Sequence, residues 1–140
     1  MSFRFLPDVA LADVAFEAES DTVDGLFTTC ARAITDIMVD PETVRPTVTR
    51  EFELSSPDLD RLLYDFLTEL IYTKDVESLL FRTFEVKVDT RRISLAATAR
   101  GEAIDRERHR LRNDVKAVTM HLFGIKKDGK NWKTTVVLDI

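Results

Sequence analysis

The sequence predicts an α+β fold in which two amphipathic helices pack on a mostly antiparallel sheet of about six strands. Apolar residues recur at helical spacing in two long segments, and most other apolar residues alternate with polar ones as in strands. The chain has 140 residues, 44% of them hydrophobic, with only 4 glycines and 4 prolines. Residues 1–140 are therefore expected to form one domain with a substantial core, and they are too few for two domains.

The first helix is predicted to begin at Thr22, with Asp21 as its cap. It should end before Pro41, because the residue that precedes a proline is disfavoured in the helical conformation. Its apolar positions follow steps of three and four and so form one face: Val23, Leu26, Phe27, Cys30, Ile34, Ile37 and Met38.

The second helix has a clearer start signal. Ser56 is the predicted cap, and Pro57 takes the first helical position, where its missing N–H costs nothing. An apolar stripe follows at helical spacing: Leu59, Leu62, Leu63, Phe66, Leu67, Leu70 and Ile71. This stripe is predicted to pack in the core, although an exposed part of it would suit the docking of a partner.

Alternation of apolar and polar residues predicts the strands. In chain order they are 14–19, 48–54, 84–88, 93–99, 115–125 and 132–140. A hairpin connection at 89–92 should make the third and fourth antiparallel. The Asp128-Gly129 pair supplies the positive φ for a tight turn between the last two. The polar residues 102–114 are expected to form a surface loop.

Composition narrows the possible partners and the location. A formal net charge of −5 and a pI near 5.1 argue against whole-surface binding to a phosphate backbone, so any RNA contact should be local or made by a partner. Cys30 is the only cysteine in the sequence, so an internal disulfide is impossible and the cytosol is expected. No apolar stretch approaches a membrane span and the first residues lack an export pattern, so neither membrane insertion nor secretion is expected.

Familiar enzyme motifs are absent from the sequence. There is no glycine-rich phosphate loop, no nucleophile elbow and no cysteine pair, and two histidines do not make a zinc set. His109 lies in a charged stretch and is expected to be exposed, whereas His121 is expected to be a hydrogen-bonded structural residue of its strand. The arginine-rich residues 106–112 form the strongest local positive patch, for which a solvated loop is favoured over contact with RNA or an acidic protein surface.

Two acidic residues occupy unusual positions. Asp13 lies inside the apolar segment VALADVAF, and Asp139 precedes Ile140, whose α-carboxylate adds two oxygens. An acid in an apolar context needs a partner, because a buried unpaired charge is costly. If the first and last strands bring these groups together, their oxygens favour one hard divalent cation, Ca²⁺, Mg²⁺ or Mn²⁺. The alternative is that each acid is solvated or paired with lysine or arginine.

Several segments are specific in combination, through their order and spacing: FLPDVALADVAFEA, LYDFLTELIY, GEAIDRERHRL followed by VKAVTMH, and VVLDI. Over essentially the whole chain they resemble the archease family. The resemblance implies a cytoplasmic accessory protein of the GTP-dependent tRNA-splicing ligase of the RtcB type, one that promotes guanylylation of the ligase's active-site histidine and allows repeated turnover. It therefore implies an activator rather than an enzyme, in contact with RNA only through the ligase.

The resemblance also implies site residues. In the family a metal is held by an aspartate near the N-terminus and by the acidic C-terminus, which correspond to Asp13, Asp139 and the carboxylate of Ile140. Lys116, the lysine of the VKAVT segment, corresponds to a lysine of functional importance. A structural ion pair with a nearby acid is the ordinary alternative for a lysine at the start of a strand.

The chain departs from the family at two positions. A His-Thr pair commonly precedes the N-terminal aspartate, where this chain has PDVALAD, and Met120 stands in place of a tyrosine. These departures leave the metal carboxylate in place and put any role of the missing histidine in doubt. Asp8 is an alternative ligand that ranks below Asp13.

Two other functions stay open. One is a stand-alone metal-dependent hydrolase of phosphate esters with Asp13 and Asp139 as ligands, against which one ion, few ligands and the lack of an evident base all argue. The other is a chaperone-like binding module that recruits a nucleic-acid enzyme and whose metal is structural.

Overall fold

A computed structural model describes residues 1–6, 13–121 and 123–140, and within them the chain forms two α-helices and eight β-strands. The helices are α1 (Val23–Met38) and α2 (Leu59–Glu77). The strands are β1 (Ser2–Phe5), β2 (Val14–Ser20), β3 (Val48–Ser55), β4 (Leu79–Asp89), β5 (Ser94–Ala103), β6 (Ala117–Val118), β7 (Gly124–Asp128) and β8 (Asn131–Asp139). The predicted α+β class is confirmed.

The strands are divided between two antiparallel sheets rather than joined in one. A five-stranded sheet has the order β1-β2-β8-β6, with β7 also paired to β8, and a three-stranded sheet has the order β3-β5-β4. β1 was not predicted, and the described strands number more than the expected six. Alternation along a segment indicates which face is buried, but it does not indicate which strand lies alongside, so the division into two sheets is not visible in the sequence.

α1 begins one residue later than predicted and ends as predicted. Its cap is Thr22, whose hydroxyl accepts a hydrogen bond from the N–H of Gly25 at 3.0 Å, in place of the expected Asp21. The helix stops at Met38, before Pro41. The whole predicted apolar face is buried. α1 packs against both β2 and β4 and so joins the two sheets.

α2 also begins later than predicted. Asp58 is its cap and accepts from the N–H of Arg61 at 2.8 Å, so the helix starts at Leu59 rather than at Pro57. The predicted cap, Ser56, instead donates its hydroxyl hydrogen to Asp65 at 2.7 Å. The predicted stripe is buried from Leu62 onward, as expected.

The predicted strand over 115–125 is interrupted. β6 and β7 both pair with β8, but Val118 lies opposite Leu138 whereas Gly124 lies opposite Thr135. Five residues between Val118 and Gly124 therefore correspond to only two on β8. Pairing cannot continue through such a mismatch, and the ladder stops after β6 and resumes at β7.

The core lies between the sheets and the two helices. Phe16, Phe27 and Phe66 are completely buried, and the rings of Phe27 and Phe66 stack with centroids 6.2 Å apart. Neither described helix is long and apolar enough to cross a membrane. The core holds β8 between β2 and β6, which fixes the end of the sheet described next.

Candidate functional site

β8 brings Asp139 to the end of the sheet at which β2, the strand that follows Asp13, begins. It pairs with β2 in antiparallel register, and the last pair is Val14 with Leu138. Asp13 directly precedes Val14, and Asp139 directly follows Leu138. The two aspartates therefore adjoin the same terminal pair of the ladder.

The two aspartates at this end of the sheet are accessible to solvent. Leu138 is completely buried, whereas the next residue, Asp139, is exposed, and Asp13 is half-buried. Ile140 packs part of its side chain against the core and so holds the end of the chain beside the strand. Carboxylates placed in this way keep contact with water and remain reachable by a macromolecule.

Lys116 approaches the same end from the other side of β8. Its backbone N–H donates to the carbonyl oxygen of Asp139 at 2.8 Å, and the following residue, Ala117, pairs with Asp139. The side chain of Lys116 is exposed. The register thus gathers Asp13, Asp139, Ile140 and Lys116, which are far apart in sequence, at one end of one sheet. We refer to them as the β8-end site.

The donor chemistry of the β8-end site fits a hard cation. Asp13, Asp139 and the α-carboxylate of Ile140 offer only oxygen ligands, which Ca²⁺, Mg²⁺ and Mn²⁺ prefer. Among the described residues no group of three or more His, Cys, Asp or Glu side chains is arranged to hold a metal ion. Such a cation would therefore depend on the terminal carboxylate together with the two aspartates. Asp8, the alternative ligand, lies outside the described residues.

Lys74 is a buried lysine that sequence reasoning missed. Its ammonium group donates to Oδ1 of Asp114 and, at 2.8 Å, to the carbonyl of Val115, and it lies 3.0 Å from a carboxylate oxygen of Asp75. The residue is only 7% exposed. A signal was present in the sequence, because Lys74 stands four residues after Leu70 on the buried stripe of α2. Its contacts fix the backbone immediately before Lys116.

A second buried cluster corrects the expectation that His109 is exposed. Its imidazole is buried, Nδ1 accepts from the backbone N–H of Asp105 at 2.9 Å, and Nε2 lies 2.7 Å from Oε1 of Glu102. Since Nδ1 accepts, Nε2 carries the hydrogen and donates it to Glu102. His109 is therefore a structural residue that closes the base of the loop, and both of its ring nitrogens are occupied.

Glu102 is held in its ionised form by this cluster. The same oxygen accepts from the backbone N–H of Arg45 at 2.8 Å and lies 2.6 Å from the guanidinium of Arg108. Burial alone would raise the pKa of Glu102. The hydrogen bonds and the charge of Arg108 outweigh that effect and lower the pKa from 4.5 to about 2.

The arginine-rich residues are partly neutralised within the fold. Arg108 pairs with Glu102, and Arg112 pairs with Asp36 at 3.2 Å. Leu111 bridges to Val39 at the end of α1. The loop is thus attached to the body of the protein, although most of its residues are exposed. His121 lies in a turn with its side chain exposed, outside the strand in which it was expected.

Comparison with known proteins gives a consistent result. The chain matches the archease protein family over residues 3–140. It is 38% identical over 133 residues to the archease of Pyrococcus abyssi, covering 92% of this chain and 93% of that protein. It is 36% identical over 132 residues to the archease of Methanosarcina mazei, covering 92% and 90%.

Two solved structures resemble the fold. The solution structure of protein 1598 from Methanobacterium thermoautotrophicum superimposes with a TM-score of 0.86 at 36% identity, covering 99% of this chain and 98% of that one. The crystal structure of an archease from Thermotoga maritima, described as a possible chaperone, gives a TM-score of 0.64 at 22% identity over 96% of each chain. At that identity the second likeness concerns the fold alone.

Proposed function

The chain belongs to the archease family, and on that premise we propose that it is an accessory activator of the GTP-dependent tRNA-splicing ligase of the RtcB type. It promotes guanylylation of the ligase's active-site histidine and so allows repeated turnover in the cytoplasm. The ligase carries out the chemistry, and this chain prepares it for each round.

The observation that carries the proposal is the register of β8 with its two neighbours. Asp13 and Asp139 adjoin the last pair of β2 with β8, and the backbone N–H of Lys116 donates to the carbonyl of Asp139. These residues come from three separate segments of the chain. Their meeting at an exposed sheet end supports a role in which this end enters the active site of a partner.

The residues of this site have distinct roles in the proposal. Asp13, Asp139 and the Ile140 carboxylate would hold one hard divalent cation, which when bound supplies positive charge against the phosphates of GTP. The pairing of β2 with β8 holds the backbone next to these residues in place before the ligase is met, which reduces the ordering needed on binding. Lys116 adds a positive charge beside them and contacts the ligase or a phosphate.

The size of the required effect is modest. Each 1.4 kcal/mol removed from an activation barrier raises a rate about tenfold. Aligning the phosphates with the nucleophilic histidine is a positioning effect that reaches this magnitude without a base or nucleophile from this chain. An accessory protein with carboxylates at an open sheet end is sufficient for such a role.

Replacement of Asp139 tests the proposal. Asp139→Asn should abolish stimulation of multiple-turnover RNA ligation by the cognate ligase with GTP and divalent metal, because a ligand is lost from an exposed position that contributes little to folding. Glu53→Gln removes a charge from an exposed position on β3, in the other sheet, and should stimulate like wild type. Each protein is compared at matched folded concentration.

A second candidate is a chaperone-like binding module whose metal is structural, because an exposed sheet end also suits docking without activation. The activator and the binding module are distinguished by measuring both binding to the ligase and stimulation of it with the Asp139 variant. If Asp139→Asn binds the ligase but does not stimulate it, the proposal is supported. Full stimulation by Asp139→Asn would refute it. The isolated chain, incubated with metal and a phosphate ester, should show no turnover, whereas a hydrolase would.

A further inference from the structure

The tip of the β7–β8 hairpin carries a concentration of positive charge. Residues 125–133 contain four lysines, Lys126, Lys127, Lys130 and Lys133, and a single acid, Asp128, in a chain whose net charge is −5. We call residues 126–133 the basic finger. The arginine-rich residues 106–112 carry less net charge than their arginines suggest. The loop that contains them, residues 102–114, has four arginines and four acids.

The turn of the basic finger extends one residue pair beyond β2. β2 accompanies β8 only as far as the pair of Ser20 with Trp132, while β7 and β8 continue to the pair of Asp128 with Asn131. Gly129 turns the chain with a φ of +61°, which a glycine adopts without strain. Lys126 and Lys127 lie opposite residues of β8 that still pair with β2, Lys130 lies in the turn, and all three are exposed. Their charges therefore lie close together at one edge and tip of the sheet, with the consecutive residues Lys126 and Lys127 on opposite faces.

Most of this positive charge is not used within the fold. Among the described residues, acids lie within ion-pair distance of Lys133 alone of the four lysines, and both contacts are long, 3.7 Å to Glu19 and 3.8 Å to Asp128. By contrast, Arg108 and Arg112 of the arginine-rich loop have carboxylate partners at 2.6 and 3.2 Å. The cations of Lys126, Lys127 and Lys130 therefore have no carboxylate partner among the described residues.

An aromatic ring lies among these lysines. Trp132, the only tryptophan of the chain, is half-buried, and the ammonium of Lys127 lies 4.9 Å from its ring centroid. Lysines that track a phosphate backbone, combined with an aromatic ring on which a base stacks, are the usual elements of single-strand binding. An acidic protein surface would use the lysines but would have no particular need for the ring.

We propose that the basic finger binds single-stranded RNA, with Lys126, Lys127 and Lys130 on the phosphates and Trp132 against a base. The choice of RNA over other polyanions rests on the proposed function, since the ligase joins RNA ends. Trp132 and Asp139 are seven positions apart along β8, a distance of about 24 Å at the rise of a strand. A single strand extending from the ligase active site can span this distance, so the finger holds RNA while the β8-end site faces the ligase.

The single tryptophan makes the test direct. The full chain is titrated with a single-stranded uridine 12-mer while the fluorescence of Trp132 is recorded at several salt concentrations. Binding should quench the emission, and the logarithm of the affinity should fall with the logarithm of salt with a slope of about −2, as expected for three phosphate contacts on a single strand. Lys126→Gln/Lys127→Gln/Lys130→Gln should bind at least tenfold more weakly.

A matched control lies at the tip of the β4–β5 hairpin. Arg91 and Arg92 are exposed there, and Arg91→Gln/Arg92→Gln should leave RNA affinity unchanged. An equal loss of affinity in both variants, or no quenching by RNA, would overturn the inference. So would equally tight binding of polyglutamate of the same charge, which would indicate an acidic protein as the ligand. Because the titration contains no ligase, a negative result would reject RNA binding by the basic finger without bearing on ligase activation. The Asp139→Asn experiment tests ligase activation separately.

Discussion

Glu102 and His109 lie in a stretch whose composition is typical of a solvated loop, and yet both are buried. The difference arises from partners that are close in space and invisible in a composition, above all the backbone N–H of Arg45 and the guanidinium of Arg108. Burial of a carboxylate is tolerated when several donors satisfy it. At the level of single residues, the partners of a charge decide its role more than its neighbours in sequence do.

The lowered pKa of Glu102 predicts a pH dependence of stability. Because its pKa falls from 4.5 to about 2 on folding, the ionised carboxylate contributes stability above pH 4.5, and this contribution is lost as the pH falls toward 2. Glu102→Gln should therefore lower the free energy of unfolding by about 1.5 to 3 kcal/mol at pH 7. The difference from wild type should shrink between pH 4.5 and 2, as measured by urea unfolding.

Glu53→Gln is the control for this measurement, since Glu53 is an exposed carboxylate on β3. Its unfolding free energy should stay within about 0.5 kcal/mol of wild type at pH 7, as is usual for a surface substitution. A difference between Glu102→Gln and wild type that stayed constant down to pH 2 would show that the charge of Glu102 does not stabilise the fold.

The segment that leads into β6 shows how a side chain of one element, α2, positions another. β6 is only two residues long, and its position depends on contacts just before it, where the ammonium of Lys74 holds Asp114 and the carbonyl of Val115. So short a strand has few ladder hydrogen bonds of its own. The side chain of Lys74, on α2, therefore helps to place Lys116 at the β8-end site.

Replacement of Lys74 should loosen this element. Lys74→Met keeps much of the volume but leaves the Asp114 carboxylate and the Val115 carbonyl without their donor, at a cost of about 1 to 3 kcal/mol. The amide of Lys116, which is bonded to Asp139, should then exchange with deuterium faster than in wild type. Hydrogen exchange measured by NMR tests this.

Lys87→Met changes an exposed lysine on β4 and should leave the exchange of the Lys116 amide as in wild type. If Lys74→Met also left that exchange unchanged, Lys74 would have no part in positioning the β8-end site. Uniform acceleration at every amide would instead indicate a global loss of stability.

The whole molecule has two chemically different ends on one sheet. Asp13 and Asp139 lie at one end of β8, and the basic finger, which includes Trp132, lies at the other. Met1 belongs to the finger end, because the neighbouring Ser2 pairs with Glu19 and β2 continues from there to the pair of Ser20 with Trp132. Extensions at the two termini therefore probe opposite ends of the same sheet.

A short extension after Ile140 should abolish ligase stimulation with little effect on stability. It converts the α-carboxylate of Ile140 into a peptide bond and so removes two of the proposed ligand oxygens. The same Gly-Ser-Gly-Ser extension placed before Met1 is the control and should stimulate like wild type. Thermal unfolding and multiple-turnover ligation are measured for both proteins, and full activity with the C-terminal extension would exclude the terminal carboxylate from the site.

Much of the fold could be predicted, because helix faces, helix ends and turns depend on residues that are close in sequence. The apolar stripes of both helices, the stop before Pro41 and the turn at Gly129 follow from helical spacing and backbone preference, and all are found in the structure. The caps were shifted by one or two residues, because Thr22 and Asp58 compete with neighbouring polar residues of similar capping strength.

By itself, the sequence determined the α+β class, the buried helix faces, the family resemblance and the candidate ligands Asp13, Asp139 and Ile140. Tertiary structure alone decided that two sheets form, that Asp13 and Asp139 adjoin the same terminal strand pair, and that Lys74 and His109 are buried. The physical reason is that periodicity reports which side of an element faces the core, whereas register and ion pairing depend on chain segments that meet only when the core is closed.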